Sequence, residues 1–234
     1  DPDGNYPSEK FSINFESPVI ELEGGVQIHH GNQFEAVHYF NYDNPLLTYA
    51  LNSPVLNIPW GSFYVLKIVN RFKWERDYVD KVRPVKAMLL WGLMFDTWFT
   101  LKFALLSAFY FFKTRFIYSP QRRSRLSVTV KIFQQESTTF LQDLERDARH
   151  LLDTQPLVHT VIMGHTHHPM FKTYPDGKAY INTGTWTRMI NLDLRSMGTG
   201  YRLTFAFIEY DSYGRAKASL QQWIGEYKAF RSFT

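Results

Sequence analysis

Two short stretches carry residue types able to hold a metal ion. Gly164-His165-Thr166-His167 places two imidazoles at i and i+2. On a loop, such a pair grips one ion or serves two adjacent ones, and imidazole suits Zn, Mn, Fe, Co or Ni. Far upstream, His29-His30-Gly31 offers a second pair directly before a glycine. An isolated histidine pair is usually structural, but two clusters, each beside a glycine at a strand end, are harder to dismiss. The 234 residues include no cysteine. That excludes a thiolate zinc site, an iron–sulfur cluster, a cysteine nucleophile and a disulfide scaffold.

Both clusters need a scaffold, and the flanking sequence reads as α/β. An apolar run over 157–163 predicts a buried strand ending at Gly164. Residues 19–23 and 26–30 predict a hairpin across Gly24-Gly25. The carboxyl ends of strands in an α/β sheet collect its functional loops, so His30, His165 and His167 are expected to converge. Phe140, Leu141, Leu144, Ala148, Leu151 and Leu152 fall at helical spacing opposite Asp143, Arg146, Asp147 and Arg149. Pro156 stops that helix. Residues 170–174 and 178–182 flank Pro175-Asp176-Gly177, a turn signal that predicts a second hairpin. Residues 201–210 and 215–223 read as two closing strands.

At ~150 residues per domain, this length allows one large domain or one domain plus an insertion. The charge distribution locates the insertion. Residues 60–131 hold 14 Lys and Arg against four acids, Glu75, Asp77, Asp80 and Asp96, for a local charge of +10; the remainder carries −6. The same segment holds 17 of the 40 aromatic residues and none of the eight histidines. The chain therefore divides into a first core segment (1–59), a basic aromatic helical insertion (60–131) and a second core segment (132–234). Within the insertion, 62–81 and 85–112 predict helices, the second almost wholly apolar. Trp91, Phe95, Trp98, Lys102, Leu105, Phe109 and Phe112 form one ridge. Gly92, Asp96, Thr100, Ser107 and Thr114 form a more polar stripe. A cap, a dimer interface, an acyl-chain-binding element and a membrane-surface element all fit this pattern. Asp96 argues against a simple span, because a carboxylate at mid-bilayer costs ~2.5–3.5 kcal/mol. Arg122, Arg123 and Arg125, following Lys113 and Arg115, would suit anionic headgroups.

The segment from Val161 through Gly164-His165-Thr166-His167-His168-Pro169, followed by Tyr180-Ile181-Asn182-Thr183-Gly184-Thr185-Trp186, resembles the calcineurin-like metallophosphoesterases. It is most similar to the bacterial branch that includes UDP-2,3-diacylglucosamine hydrolase. The family's late motifs, a strand-end His-Gly and then Gly-His-x-His, both occur here in order. The resemblance covers about 16–40 and 138–223. It implies a calcineurin-like β-sandwich flanked by helices, of which this chain supplies the C-terminal half, with the insertion all helical. It also implies two divalent metal ions (Mn, Fe or Zn), with His30 and His165 on one and His167 on the other. His29 is the alternative to His30, although the residue before glycine is the family position. Asn32, where many members have His or Asp, receives no metal role. His168 and Arg188 are close enough in sequence to reach a phosphate, and both also read as ordinary surface residues.

Three early family motifs, Asp-x-His, Gly-Asp-x-x-Asp and Gly-Asn-His-Asp, do not occur in this sequence. The proton-donating histidine and the bridging carboxylate are therefore expected upstream of Asp1 or on a separate segment. Without those carboxylates the chain alone is expected to bind metal weakly. The implied function is hydrolysis of a phosphoester or pyrophosphate, with an anionic head near the metals and acyl chains along Trp91, Phe95 and Trp98. A nucleic-acid substrate fits less well, because the aromatics sit inside apolar runs rather than as stacking platforms. The alternative is a non-enzymatic membrane-associated or oligomerising module, homodimeric if the ridge self-associates. The first twenty residues hold no apolar run of signal-peptide length, so the expected location is cytoplasmic, peripheral to the inner membrane where the insertion meets lipid.

Overall fold

A computed structural model describes residues 17–35, 38–48, 52–83, 85–114, 144–192, 198–200, 202–225 and 230–232. The strands in its first part are β1 (Val19–Leu22), β2 (Val26–His29), β3 (Leu46–Leu47), β4 (Val55–Leu56) and β5 (Val82–Arg83). The second part adds β6 (Thr160–Met163), β7 (Met170–Thr173), β8 (Ala179–Asn182), β9 (Met189–Asn191) and β10 (Gly198–Gly200). Last come β11 (Thr204–Tyr210), β12 (Ala216–Trp223) and β13 (Phe230–Ser232). The helices are α1 (Trp60–Tyr64), continued by a π-helical stretch Val65–Val69 into α2 (Asn70–Lys73), then α3 (Val85–Phe95), α4 (Thr97–Phe112) and α5 (Glu145–Thr154).

The architecture is mixed α/β. Its central sheet has the order β1-β2-β6-β8-β7. β2, β6 and β8 run parallel, while β1 and β7 close the two edges antiparallel. Strands covered on both faces should be apolar throughout, and every residue of β6 is buried. Side chains alternate between the faces. Val161, Met163 and Tyr180 meet Leu144, Ala148 and Leu152 of the α5 region. Ile162, Ile181 and Val26 meet Leu220 of β12 and the alanines of β11 and β12. A helix thus covers one face of the sheet and a second sheet the other.

The expected hairpins form as β1–β2, β7–β8 and β11–β12. In the first, Gly24 and Gly25 take φ of +73° and +74°, a region glycine enters without strain. A side chain on Gly25 would place its Cβ 2.3 Å from the Leu157 carbonyl oxygen. The strand expected over 157–163 begins only at Thr160, because Pro156 and Leu157 form a turn that leaves Leu157 85% exposed. Helix α5 ends before Pro156 as expected, with Gln155 extended at φ −119°, ψ 93°. Phe140, Leu141 and Asp143 lie outside the described residues, as do Arg115, Arg122, Arg123 and Arg125.

The insertion differs from the sequence reading in two ways. First, it is not all helical, since Val82–Arg83 pairs in parallel with β9. Ile190 and Leu192, from beyond the histidine motif, pack on its core of Ile68, Phe72, Val79, Met88, Phe99 and Phe103. Second, the helices expected over 62–81 and 85–112 are shorter: the first runs only to Lys73, and the second breaks at Asp96 (φ −145°, ψ 57°). Arg76 Nε donates to Asp96 Oδ2 at 2.7 Å across the break. The structure also decides which stripe faces inward. The chain turns so sharply that a Cβ on Gly92 would lie 2.2 Å from Thr100 Oγ1. Ser107 and Thr114 bond to Tyr64 and Trp60. The small polar stripe therefore packs inward, while Phe95, Trp98, Leu105, Phe109 and Phe112 face outward. Among the described residues, no helix is long and apolar enough to cross a membrane.

Candidate metal centre

The three parallel strands end side by side, and short backbone bonds lace their exit loops together. Gly164 N–H donates to the His30 carbonyl at 3.1 Å, and Thr183 N–H to the Met163 carbonyl at 2.8 Å. Strand alternation then separates the two neighbouring histidines. His29 points inward and is buried. Its Nδ1 lies 2.9 Å from Gln33 Nε2 and its Nε2 3.3 Å from Gln27 Oε1. Those neighbours assign the proton to Nε2. Burial pulls its pKa below the ordinary value, outweighing the opposing charge of Glu21. His29 is thus a neutral structural residue with both nitrogens engaged.

His30 emerges at the surface with its ring centroid 5.2 Å from that of His165. Burial lowers its pKa, and the charges of His165 and His38 act in the same direction. After it the chain must turn at once. Gly31 has φ +107°, and a Cβ there would sit 2.6 Å from Leu144 Cδ1 and 3.2 Å from His165 Cβ. The turn enters a 3₁₀ helix over Asn32–Phe34, which delivers Glu35 and His38 to the same place.

Glu35 Oε2 lies 3.0 Å from His165 Nε2 and 2.8 Å from His38 Nδ1. The His38 and His165 rings are 4.9 Å apart, edge to face. Burial raises the Glu35 pKa, but the hydrogen bonds and charges of the two imidazoles prevail and bring it down to about 2. Asn32 Nδ2 donates to the His38 carbonyl at 3.0 Å, so the residue without a metal role in the sequence reading fixes one end of the cluster. Among the described residues, Glu35, His38 and His165 are the one set of three whose ligand atoms lie mutually within 4.8 Å.

This donor set fits a divalent cation. Metal–ligand bonds of about 2.0–2.2 Å put neighbouring ligand atoms roughly 3.0–3.4 Å apart. The 2.8 and 3.0 Å contacts need to open by only a few tenths of an ångström to match. Two nitrogens and one oxygen suit Zn, Mn or Fe.

The Gly-His-Thr-His loop holds His165 and His167 at φ of +63° and +61°, both in the sparsely populated left-handed region. Asn182, fully buried at the end of β8, supports that shape. Its amide donates to the Gly164 carbonyl at 3.0 Å and to Thr166 Oγ1 at 2.9 Å, and its oxygen accepts Gly184 N–H at 2.9 Å. His167 and His168 follow on the same loop and are exposed, as is Arg188 before β9. Trp91 borders a cavity of about 280 Å³ lined by Phe95, Phe99, Phe103, Ile190 and Leu192 and by no histidine. Trp98 is 73% exposed on the outer side of α4.

Of the residues expected at the site, His30 and His165 are brought together. Glu35 and His38 were missed. The available signal was a Glu-x-x-His spacing directly after a His-Gly turn. Comparison of the chain with protein-family models, curated proteins and solved structures finds no match.

Proposed function

We propose that this chain contributes to a metal-dependent hydrolase acting on phosphoesters or pyrophosphates. The observation that carries the reading is the meeting of His30, Glu35, His38 and His165 at the carboxyl edge of β2, β6 and β8. Glu35, His38 and His165 would hold one divalent cation, with His30 beside it. When bound, such a cation supplies a Lewis acid for a phosphoryl oxygen and lowers the pKa of a water. His167 is left for a second ion, completed by the early-motif groups that this sequence lacks and a separate segment would supply. His168 and Arg188, on adjoining loops, would orient the substrate phosphate. A lipid-linked or otherwise amphiphilic substrate fits the aromatic, basic insertion.

The test is hydrolysis of a generic phosphodiester by the full chain with added Mn, repeated on His165→Ala and His167→Ala. Slow turnover that both substitutions abolish supports the reading. Rates equal to those of the unsubstituted chain remove it.

A further inference from the structure

Behind the His30–Gly31 turn, side chains form one hydrogen-bonded chain in which every bond points the same way. Gly31 N–H donates to Gln33 Oε1 at 3.1 Å. The Gln33 amide donates to His29 Nδ1 at 2.9 Å. His29 Nε2–H donates to Gln27 Oε1 at 3.3 Å. The Gln27 amide in turn donates to Glu21 Oε1 at 3.0 Å and to Gln155 Oε1 at 2.7 Å. Gln27 and His29, two apart on β2, share one face of the sheet and are buried. Glu21 is the register partner of Gln27 on β1.

Both ends fix the direction. A backbone N–H can only donate, and an ionised carboxylate can only accept. Starting from Gly31 or from Glu21, the same amide orientations and the same Nε2–H tautomer of His29 result. Moving the His29 proton to Nδ1 would set donor against donor at Gly31 and acceptor against acceptor at Glu21.

We infer that Gln33 is a positioning residue for the metal centre. Its carbonyl holds the His30–Gly31 turn, and the chain anchored at Glu21 holds its amide. The inference rests on the metal reading above. Gly31 is buried at φ +107°, so its N–H needs an acceptor there. On one side of it stands His30, whose carbonyl accepts Gly164 N–H at 3.1 Å. On the other side the 3₁₀ turn carries Glu35 and His38 to His165. Without the Gln33 bond, the turn lets Glu35 and His38 shift against His165.

The test combines two readouts on the full chain. Long-range ¹H–¹⁵N NMR of the chelator-treated chain, well above the ordinary histidine value of 6.5, is expected to show His29 as a single tautomer with its proton on Nε2. Titration with Mn²⁺ is expected to show affinity reduced at least about tenfold in Gln33→Leu, with the circular dichroism unchanged. Gln33→Glu keeps an acceptor for Gly31 N–H and is expected to restore the affinity, while placing a proton on His29 Nδ1. His29→Gln is expected to keep the affinity, because its carbonyl can take the Gln33 amide. A proton on Nδ1 in the unsubstituted chain would overturn the inference. So would Mn²⁺ binding by Gln33→Leu equal to that of the unsubstituted chain, or binding by Gln33→Glu no better than by Gln33→Leu. Failure of the unsubstituted chain to bind Mn²⁺ would instead remove the metal reading, and this inference with it.

Discussion

Replacing Glu35 by Gln removes the charge that two imidazoles share while keeping the shape of the side chain. In the folded chain, burial opposes ionisation of Glu35, but bonds and charge from His165 and His38 carry its pKa from 4.5 to about 2. Each tenfold in proton affinity is worth about 1.4 kcal/mol, so the gap corresponds to at most about 3 kcal/mol of folding free energy. The sign follows from the depressed value. The unfolded chain takes up the proton first, so the contribution is complete above pH 4.5 and drains away as the pH falls toward 2. Urea unfolding of the chelator-treated chain and of Glu35→Gln, measured in steps from about pH 6 to about pH 3, reads this directly. The variant is expected to be less stable near pH 5 by up to about 3 kcal/mol, with the gap closing below pH 4.5. A gap that stays constant with pH would refute the pairing of Glu35 with the histidines.

Further outcomes follow from the same geometry. Gly31→Ala forces a positive φ on a side chain whose Cβ meets Leu144 and His165; a loss of about 2–4 kcal/mol is expected in thermal or urea unfolding. Gly177→Ala, also at positive φ but with nothing within 4 Å, is expected to lose only the backbone share, about 1–2 kcal/mol. His29, held neutral by burial, costs stability as the pH falls below its ordinary value of 6.5. His29→Gln is therefore expected to flatten the stability profile between about pH 7.5 and pH 5.5 without lowering metal affinity, whereas His30→Ala lowers affinity. Asn182→Ala strips the support from the Gly-His-Thr-His loop, and a loss of about 1–3 kcal/mol is expected in the same unfolding assay.

How much of this was legible in the sequence depended on the distance over which each signal acts. The hairpins were marked by Gly24-Gly25 and Pro175-Asp176-Gly177, local turns whose backbone geometry selects their residues. The meeting of His30 with His165 followed from two strand ends in one parallel sheet. Glu35 and His38 left only a local Glu-x-x-His spacing, because a positive-φ glycine and a 3₁₀ turn deliver them and neither leaves a periodic pattern. The two stripes of the insertion were visible as stripes, but periodicity does not say which one faces inward. Small size decided it. Gly92 and Thr100 allow the close approach that Trp98 or Phe109 would block. The break at Asp96 needed Arg76, which lies twenty residues away.

The central claim is that Glu35, His38 and His165 hold one divalent cation. Titrating the chelator-treated full chain with Mn²⁺, followed by calorimetry or by the electron paramagnetic resonance of the free ion, tests it most directly. The account predicts one ion per chain, with affinity reduced at least about tenfold in Glu35→Gln and in His165→Ala and unchanged in His150→Ala, on the outer part of α5. Binding that survives both site substitutions, or no saturable binding by the unsubstituted chain, would contradict it.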